Sequence, residues 1–158
     1  MALRLDAAIA EVPLPNGQRS DAFARAERAA WEETGEAYRP ALLADVPLIP
    51  AHTALLTTTV YHGSNPPGIV DIVPSESPRP AGWTAALVIV DGLIGQAVDD
   101  GICQRFSHVP GMPELLLRAV SYRRHVNDLH SASRSNTRSH IERVEQHLVS
   151  RASAILER

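Results

Sequence analysis

Residues 113–157 read PELLLRAVSYRRHVNDLHSASRSNTRSHIERVEQHLVSRASAILE, and the reading of this stretch decides the fold. Pro113 suits the first position of a helix, and Glu114 stands beside it in the first turn. Leu115, Ala119, Tyr122, Val126 and Leu129 then recur at steps of four and three, one apolar stripe held for two heptads. The polar run SASRSNT at 131–137 interrupts the pattern. From about Asn136 to Glu157 a second stripe takes over, formed by Ile141, Val144, Leu148, Ala152 and Ile155. Two amphipathic helices across a short polar connection predict a C-terminal antiparallel helical hairpin.

Working outward, the middle of the chain has a different texture. TALLTTTVY at 53–61 and GIVDIV at 68–73 are rich in β-branched residues, and HGSNPPG between them is a cluster of turn formers. The pair predicts a β-hairpin with a long loop. SESPRPAG at 75–82 is a second loop. WTAALVIVD at 83–91 fits a strand through Val88-Ile89-Val90, or a buried helix through Ala86, Val90, Leu93, Ala97 and Val98. The reading favoured here is a strand to Val90, then a short helix from about Leu93 to Arg105.

Upstream, Ser20 is a candidate N-cap with Asp21 in the first turn, opening a helix to about Tyr38. Phe23, Ala26, Ala30, Thr34 and Ala37 give it an apolar stripe, and Glu27, Glu32, Glu33 and Glu36 cover much of the rest. Pro40 breaks this helix before one further turn at ALLAD. Residues 2–10 suit a short helix in an arm that stops at Pro13 and Pro15. The expected fold class is α+β: an N-terminal helix, a small antiparallel sheet of two or three strands, and the helical hairpin. All of it forms one domain over 1–158, with an arm at 1–19, a helix and β region at 20–112, and the hairpin at 113–158.

Composition narrows the chemistry. The chain has 158 residues, 44% hydrophobic and 21% charged, which is a globular balance with enough length for a core. Aromatics are only 4%, so that core rests on Ala, Leu, Val and Ile. All 15 basic residues are arginine. Lysine chemistry, including Schiff bases and the P-loop amine, is therefore excluded. The abundance of Ala and Arg fits a GC-rich coding sequence. A single cysteine, Cys103, excludes an internal disulfide. The N-terminus lacks the apolar run of a signal peptide, and no segment reaches the ~18 apolar residues of a membrane span. A cytoplasmic location is expected, or a virion if the chain is phage-encoded. Net charge is −6 over residues 1–112 (7 Arg against 13 acidic) and +3 over 113–158 (8 Arg against 5 acidic), recovering the total of −3.

The sharpest positional pattern lies on the last helix. His140, Arg143, His147, Arg151 and Arg158 fall within a stripe about 80° wide at 100° per residue. Glu142, Gln146, Ser153 and Glu157 occupy the far side. This basic edge is the candidate partner-binding site, suited to an acidic protein surface or to phosphates. His125 and Asp128 share a helix face, and the hairpin could bring His140 or His147 across to them. Neither H-E-x-x-H nor E-x-x-H occurs, so no metal site is expected. Cys103, His108, Asp99 and Asp100 are close in sequence, but a cysteine beside Ile102 reads as a small core residue. No catalytic residue and no cofactor are assigned.

Tyr61-His62-Gly63-Ser64-Asn65-Pro66-Pro67-Gly68-Ile69-Val70-Asp71 carries one family likeness. It resembles the Tyr-His-Gly-Thr segment of diphtheria-toxin-like ADP-ribosyltransferases and the Pro-Gly-x-Val-Asp run that follows it. The resemblance implies an NAD-using enzyme in which His62 contacts the ribose and Gly63 and Ser64 line the pocket. It covers about eleven positions, with one extra residue at the Pro pair. The family's two later stacking tyrosines and its late strand glutamate have no counterpart, because Tyr122 and the late glutamates fall in predicted helices.

The leading expectation is therefore a non-catalytic assembly or interaction protein, a homo-oligomer or a binder of an acidic protein surface, of the kind found in virions and other multi-subunit complexes. Nucleic-acid binding through the Arg/His edge and the ADP-ribosyltransferase-like enzyme are the alternatives. No membrane partner is expected.

Overall fold

The computed structural model describes residues 16–37, 43–129 and 137–156. Residues 1–15 of the expected arm, with the short helix expected at 2–10, and the side chains of Thr34, Ala37 and Ile155 lie outside the described residues, as does Arg158. Residues 16–19 of that arm instead belong to the first helix, which starts ahead of the expected N-cap Ser20. In chain order the elements are helix α1 (Asn16–Ala37), β1 (Leu48–Ile49), the single helical turn α2 (Leu55–Thr58), β2 (Thr59–Val60), β3 (Gly68–Ile69), β4 (Arg79–Pro80), α3 (Trp83–Ile94), the short α4 (Ile102–Arg105), α5 (Met112–Asp128) and α6 (Arg138–Leu156). This is the expected α+β architecture, dominated by its helices.

Helix α5 is the hub, with α1, α3 and α6 all packed on it. Its partnership with α6 is the antiparallel hairpin that the two stripes predict. Asn127 meets Thr137 and Asp128 meets Arg138 at the connected end, and Arg124 faces Glu145 a turn further on. Ile141, Val144 and Leu148 are buried on the α6 side. On α5 the expected single stripe is too narrow a description. Residues 114–123 are buried without a break, so Glu114, Arg118, Ser121 and Arg123 lie inside along with the apolar residues. Leu129, placed in the stripe by its spacing, is instead exposed just beyond the helix end. From α1, Ala22, Ala26 and Ala30 present a buried row of small side chains four residues apart, which lets that helix approach closely.

The strand expected at 83–90 is a helix. Trp83, Ala86, Leu87, Val90, Leu93 and Ile94 are all buried and recur at helical steps. The β-branched run 88–90 favours a strand locally, but burial on all sides imposes a stronger demand. A central strand needs hydrogen-bonding neighbours on both edges, and none of the described strands is longer than two residues. A helix satisfies its backbone internally, so this sequence can be enclosed between α5 and α6 at no hydrogen-bonding cost. The helix expected from Leu93 to Arg105 is accordingly shortened to α4.

Gly82 makes the tight entry to α3. Its φ is +102°, and a Cβ there would stand 3.0 Å from Val109 Cγ1 and 3.1 Å from Leu115 Cδ1. Backbone strain and steric crowding coincide, so Gly82→Ala is expected to cost about 2 kcal/mol of unfolding free energy by urea titration. An unchanged midpoint would contradict this account of the turn.

Between α1 and α3 the chain makes one long antiparallel excursion. Leu48 pairs with Pro80, His52 bridges Pro74, and Thr59 pairs with Ile69, all in nearly the same register. The expected hairpin is present in direction and position, but residues 55–58 turn helically instead of extending. The hydroxyls of Thr57 and Thr58 donate to Ala54 O, and that of Thr59 donates to Leu55 O. Threonine side chains here compete with the strand ladder for backbone acceptors. We call this excursion, residues 47–81, the ribbon.

Candidate interaction surface

The basic edge of α6 lies against the C-terminal end of α3. Arg143 Nη2 donates to Leu93 O at 2.8 Å, and His140 Nδ1 lies 3.2 Å from Ile94 O. The last carbonyls of a helix lack internal donors and carry its negative dipole end, so cationic and N–H groups are favoured there. His147 Nδ1 stands 3.7 Å from the Asp100 carboxylate. Arg151 lines a cavity of about 50 Å³ together with Cys103, Ser107, Met112, Leu116 and Leu148. Burial pushes the Cys103 thiol up, with Arg151 opposing the shift. Four of the five edge residues are thus drawn together along one line. They face the protein's own α3 and the segment just after it, and Arg158 lies outside the described residues.

The other candidate clusters do not converge. His125 Nε2 lies 3.0 Å from Glu33, Asp128 takes Arg138, and His140 and His147 have the contacts just given. Among the described residues no group of three or more metal-ligating side chains comes together. Cys103 is buried, while His108 Nδ1 lies 3.1 Å from Arg105 O and its ring stacks on Phe106. Asp99 accepts the Gly101 N–H. Tyr61 and His62 are exposed at the far end of the ribbon, and Tyr122 is buried in α5 against Trp83.

Ser121, Glu33 and His125 meet around one carboxylate without making a nucleophile. Ser121 Oγ donates to Glu33 Oε2 at 3.0 Å, and the His125 ring reaches that same oxygen, so the imidazole does not face the hydroxyl. Arg124 holds the other oxygen. Burial raises the Glu33 carboxyl, but the hydrogen bonds from Arg124, His125 and Ser121 outweigh it and bring the group to about 2, from 4.5. A depressed carboxyl contributes stability above its unfolded value and loses it as pH falls through the folded value. Glu33→Gln is therefore expected to flatten the acid limb of the stability curve between about pH 4.5 and 2. The effect is modest, because the side chain is half exposed and solvent screens the pair. An acid limb identical to that of the wild type would remove this assignment.

What sequence reading missed lies in the interior. Arg123 binds Asp91 through two bonds, Nε to Oδ1 at 2.5 Å and Nη2 to Oδ2 at 2.6 Å, and also donates to Thr53 O. Arg118 bonds Glu114 one turn back and the Trp31 carbonyl, and its guanidinium lies 4.3 Å from the Trp31 ring centre. Arg79 bonds Glu27 at 2.8 Å, and Glu27 also accepts the Glu76 N–H. The Arg123–Asp91 pair ties α5 to α3, Arg118 ties α5 to α1 through the Trp31 carbonyl, and the Arg79–Glu27 pair ties the ribbon base to α1. Buried charges persist only when paired in this way.

The ribbon presents the opposite surface. Leu48, Ile49, Val60, Tyr61, Ile69, Val70 and Ile72 are 44–75% exposed, and they are seven of the ten large apolar residues exposed among the described ones. Directly paired residues point to the same face of a ladder, and successive residues alternate between faces. Ile69, opposite Thr59, and Val60, opposite Gly68, therefore project from opposite faces. Both are exposed, so the far end of the ribbon has no packed side. The stretch 46–74 contains a single charged residue, Asp71.

No protein-family model matches the chain, and neither a curated protein nor a solved structure does. Among the described residues no helix is long and apolar enough to cross a membrane.

Proposed function

We infer that this chain is a non-catalytic assembly component, a self-associating subunit of a larger complex. The observation that carries the reading is the apolar ribbon. A folded body that buries even charged side chains in ion pairs leaves most of its exposed large apolar residues on this one excursion, in water. Scattered apolar residues on a surface are ordinary, but a concentrated patch marks a contact site. The charge-bearing candidates support the same direction, because Arg143 and His140 spend donors on α3 carbonyls. They are thereby less available to phosphates or to an acidic partner.

Native mass tests the reading. Sedimentation velocity across a wide concentration range is expected to show a species heavier than 17.1 kDa. A strict monomer throughout would overturn self-association.

A further inference from the structure

We propose that the ribbon is the assembly surface and that its occupant is a second copy of this chain, laid ribbon to ribbon about a two-fold axis. The proposal rests on the self-association reading and deepens it by naming the surface and the geometry.

Three observations select a second copy. The first is area. At the exposures given above, the seven apolar residues leave on the order of 700 Å² uncovered over the ribbon's two faces, and a copy paired along the ribbon edge covers part of it on both faces through cross-strand contacts. The second is charge. A partner with a charged surface would have to desolvate its ions against the stretch 46–74, which offers only Asp71 in return. The same stretch of a second copy brings no charge but its own Asp71. It also lets two bodies of net charge −3 meet at the place where neither carries much charge.

The third observation is the backbone. The ribbon is two strands wide, and an isolated two-stranded ribbon is marginal in water. Its strand edges are the kind of surface that adds a further strand. Antiparallel pairing of one strand with its own copy is self-complementary, each residue meeting the position that meets it, which is what a two-fold interface requires. Monomeric proteins commonly blunt such edges with charge, often lysine. Here the chain has no lysine, and neither β2 nor β3 carries a charge.

The base of the ribbon is fixed by contacts that leave its far end free to pair. Glu27 holds Arg79 and the Glu76 amide, Arg123 holds Thr53 O, and Thr84 Oγ1 accepts the His52 N–H. The ribbon is thus presented from the helical body.

The test is sedimentation of the full chain and of Val70→Asp/Ile72→Asp, with Val149→Asp on α6 as the control. The two ribbon positions are 68% and 75% exposed, so the helical fold is expected to survive, with unchanged far-ultraviolet circular dichroism. The ribbon variant is expected to raise the dimer dissociation constant by about 100-fold or more, while the control leaves it unchanged. Amide exchange in the wild type is expected to slow with concentration at 59–60 and 68–70. A wild type that dimerises but is indifferent to the ribbon variant, with no such protection, overturns the ribbon assignment and leaves assembly through another surface. A wild type monomeric at every concentration overturns the self-association reading as well, and leaves the ribbon to a partner of different sequence.

Discussion

Asp91→Ala is expected to cost about 3–5 kcal/mol of unfolding free energy, because it strands a buried cation. The side chain bonds Arg123 in a two-pronged pair, and both groups are more than nine-tenths buried. Arginine does not lose its proton at accessible pH, so the variant would leave a permanent cation in the core. The penalty is therefore the exposure of an uncompensated charge to a low-dielectric interior, rather than the net worth of the pair. That distinction can be measured. Asp91→Leu combined with Arg123→Met removes both charges at similar volume and is expected to recover most of the loss, less the bond to Thr53 O. Urea titrations of the single and double variants form the test. A double variant as unstable as Asp91→Ala would show that the pair itself stabilises the fold.

The second large effect is expected at Trp83. This residue is fully buried at the start of α3, 5.2 Å from the Trp31 ring centre and 6.3 Å from that of Tyr122. Trp83→Ala removes the largest side chain of the core and is expected to cost about 3–5 kcal/mol. Trp83→Phe keeps an aromatic ring at the site. The indole Nε1 has no hydrogen-bond partner among the described residues, so the smaller change forfeits no hydrogen bond seen there and is expected to cost about 1 kcal/mol. Equal losses for the two substitutions would mean that the ring contacts at this site contribute little.

Both sites show why part of the fold was legible and part was not. Periodicity carried the C-terminal hairpin because α6 buries one face, and Ile141, Val144 and Leu148 sit where the stripe puts them. The same logic underread α5, which contacts other helices around most of its circumference. Periodicity disappears when every face is inside, and it leaves Glu114 and Arg118 looking like an ordinary exposed pair one turn apart. It misplaced 83–90 for a related reason. Val88-Ile89-Val90 is compatible with a strand until the described residues are seen to hold no strand beside it. The ribbon was anticipated as a hairpin from its β-branched runs and turn formers, yet its exposure was not, since apolar residues in a strand ordinarily imply a buried face.

The basic edge of α6 is a mixed case. The sequence places these residues on one edge of the last helix, but the carbonyls that Arg143 and His140 meet, those of Leu93 and Ile94, fall in the sequence reading at the start of a helix rather than at the end of one. The carbonyls of a first turn are bonded within the helix, and that end carries the positive side of the dipole, so the internal role of Arg143 and His140 was out of reach.

The pairing of the deeply buried carboxylates among the described residues, Glu27, Asp91 and Glu114, with arginine also constrains how this chain can change over time. Lysine could discharge itself when its partner is lost, whereas guanidinium cannot. A lineage that loses Asp91, Glu114 or Glu27 first therefore passes through a state with a stranded cation at Arg123, Arg118 or Arg79. Divergent relatives should accordingly replace the two members of a pair together or not at all, so that the pairs drift as units while the ribbon's apolar residues exchange freely among themselves.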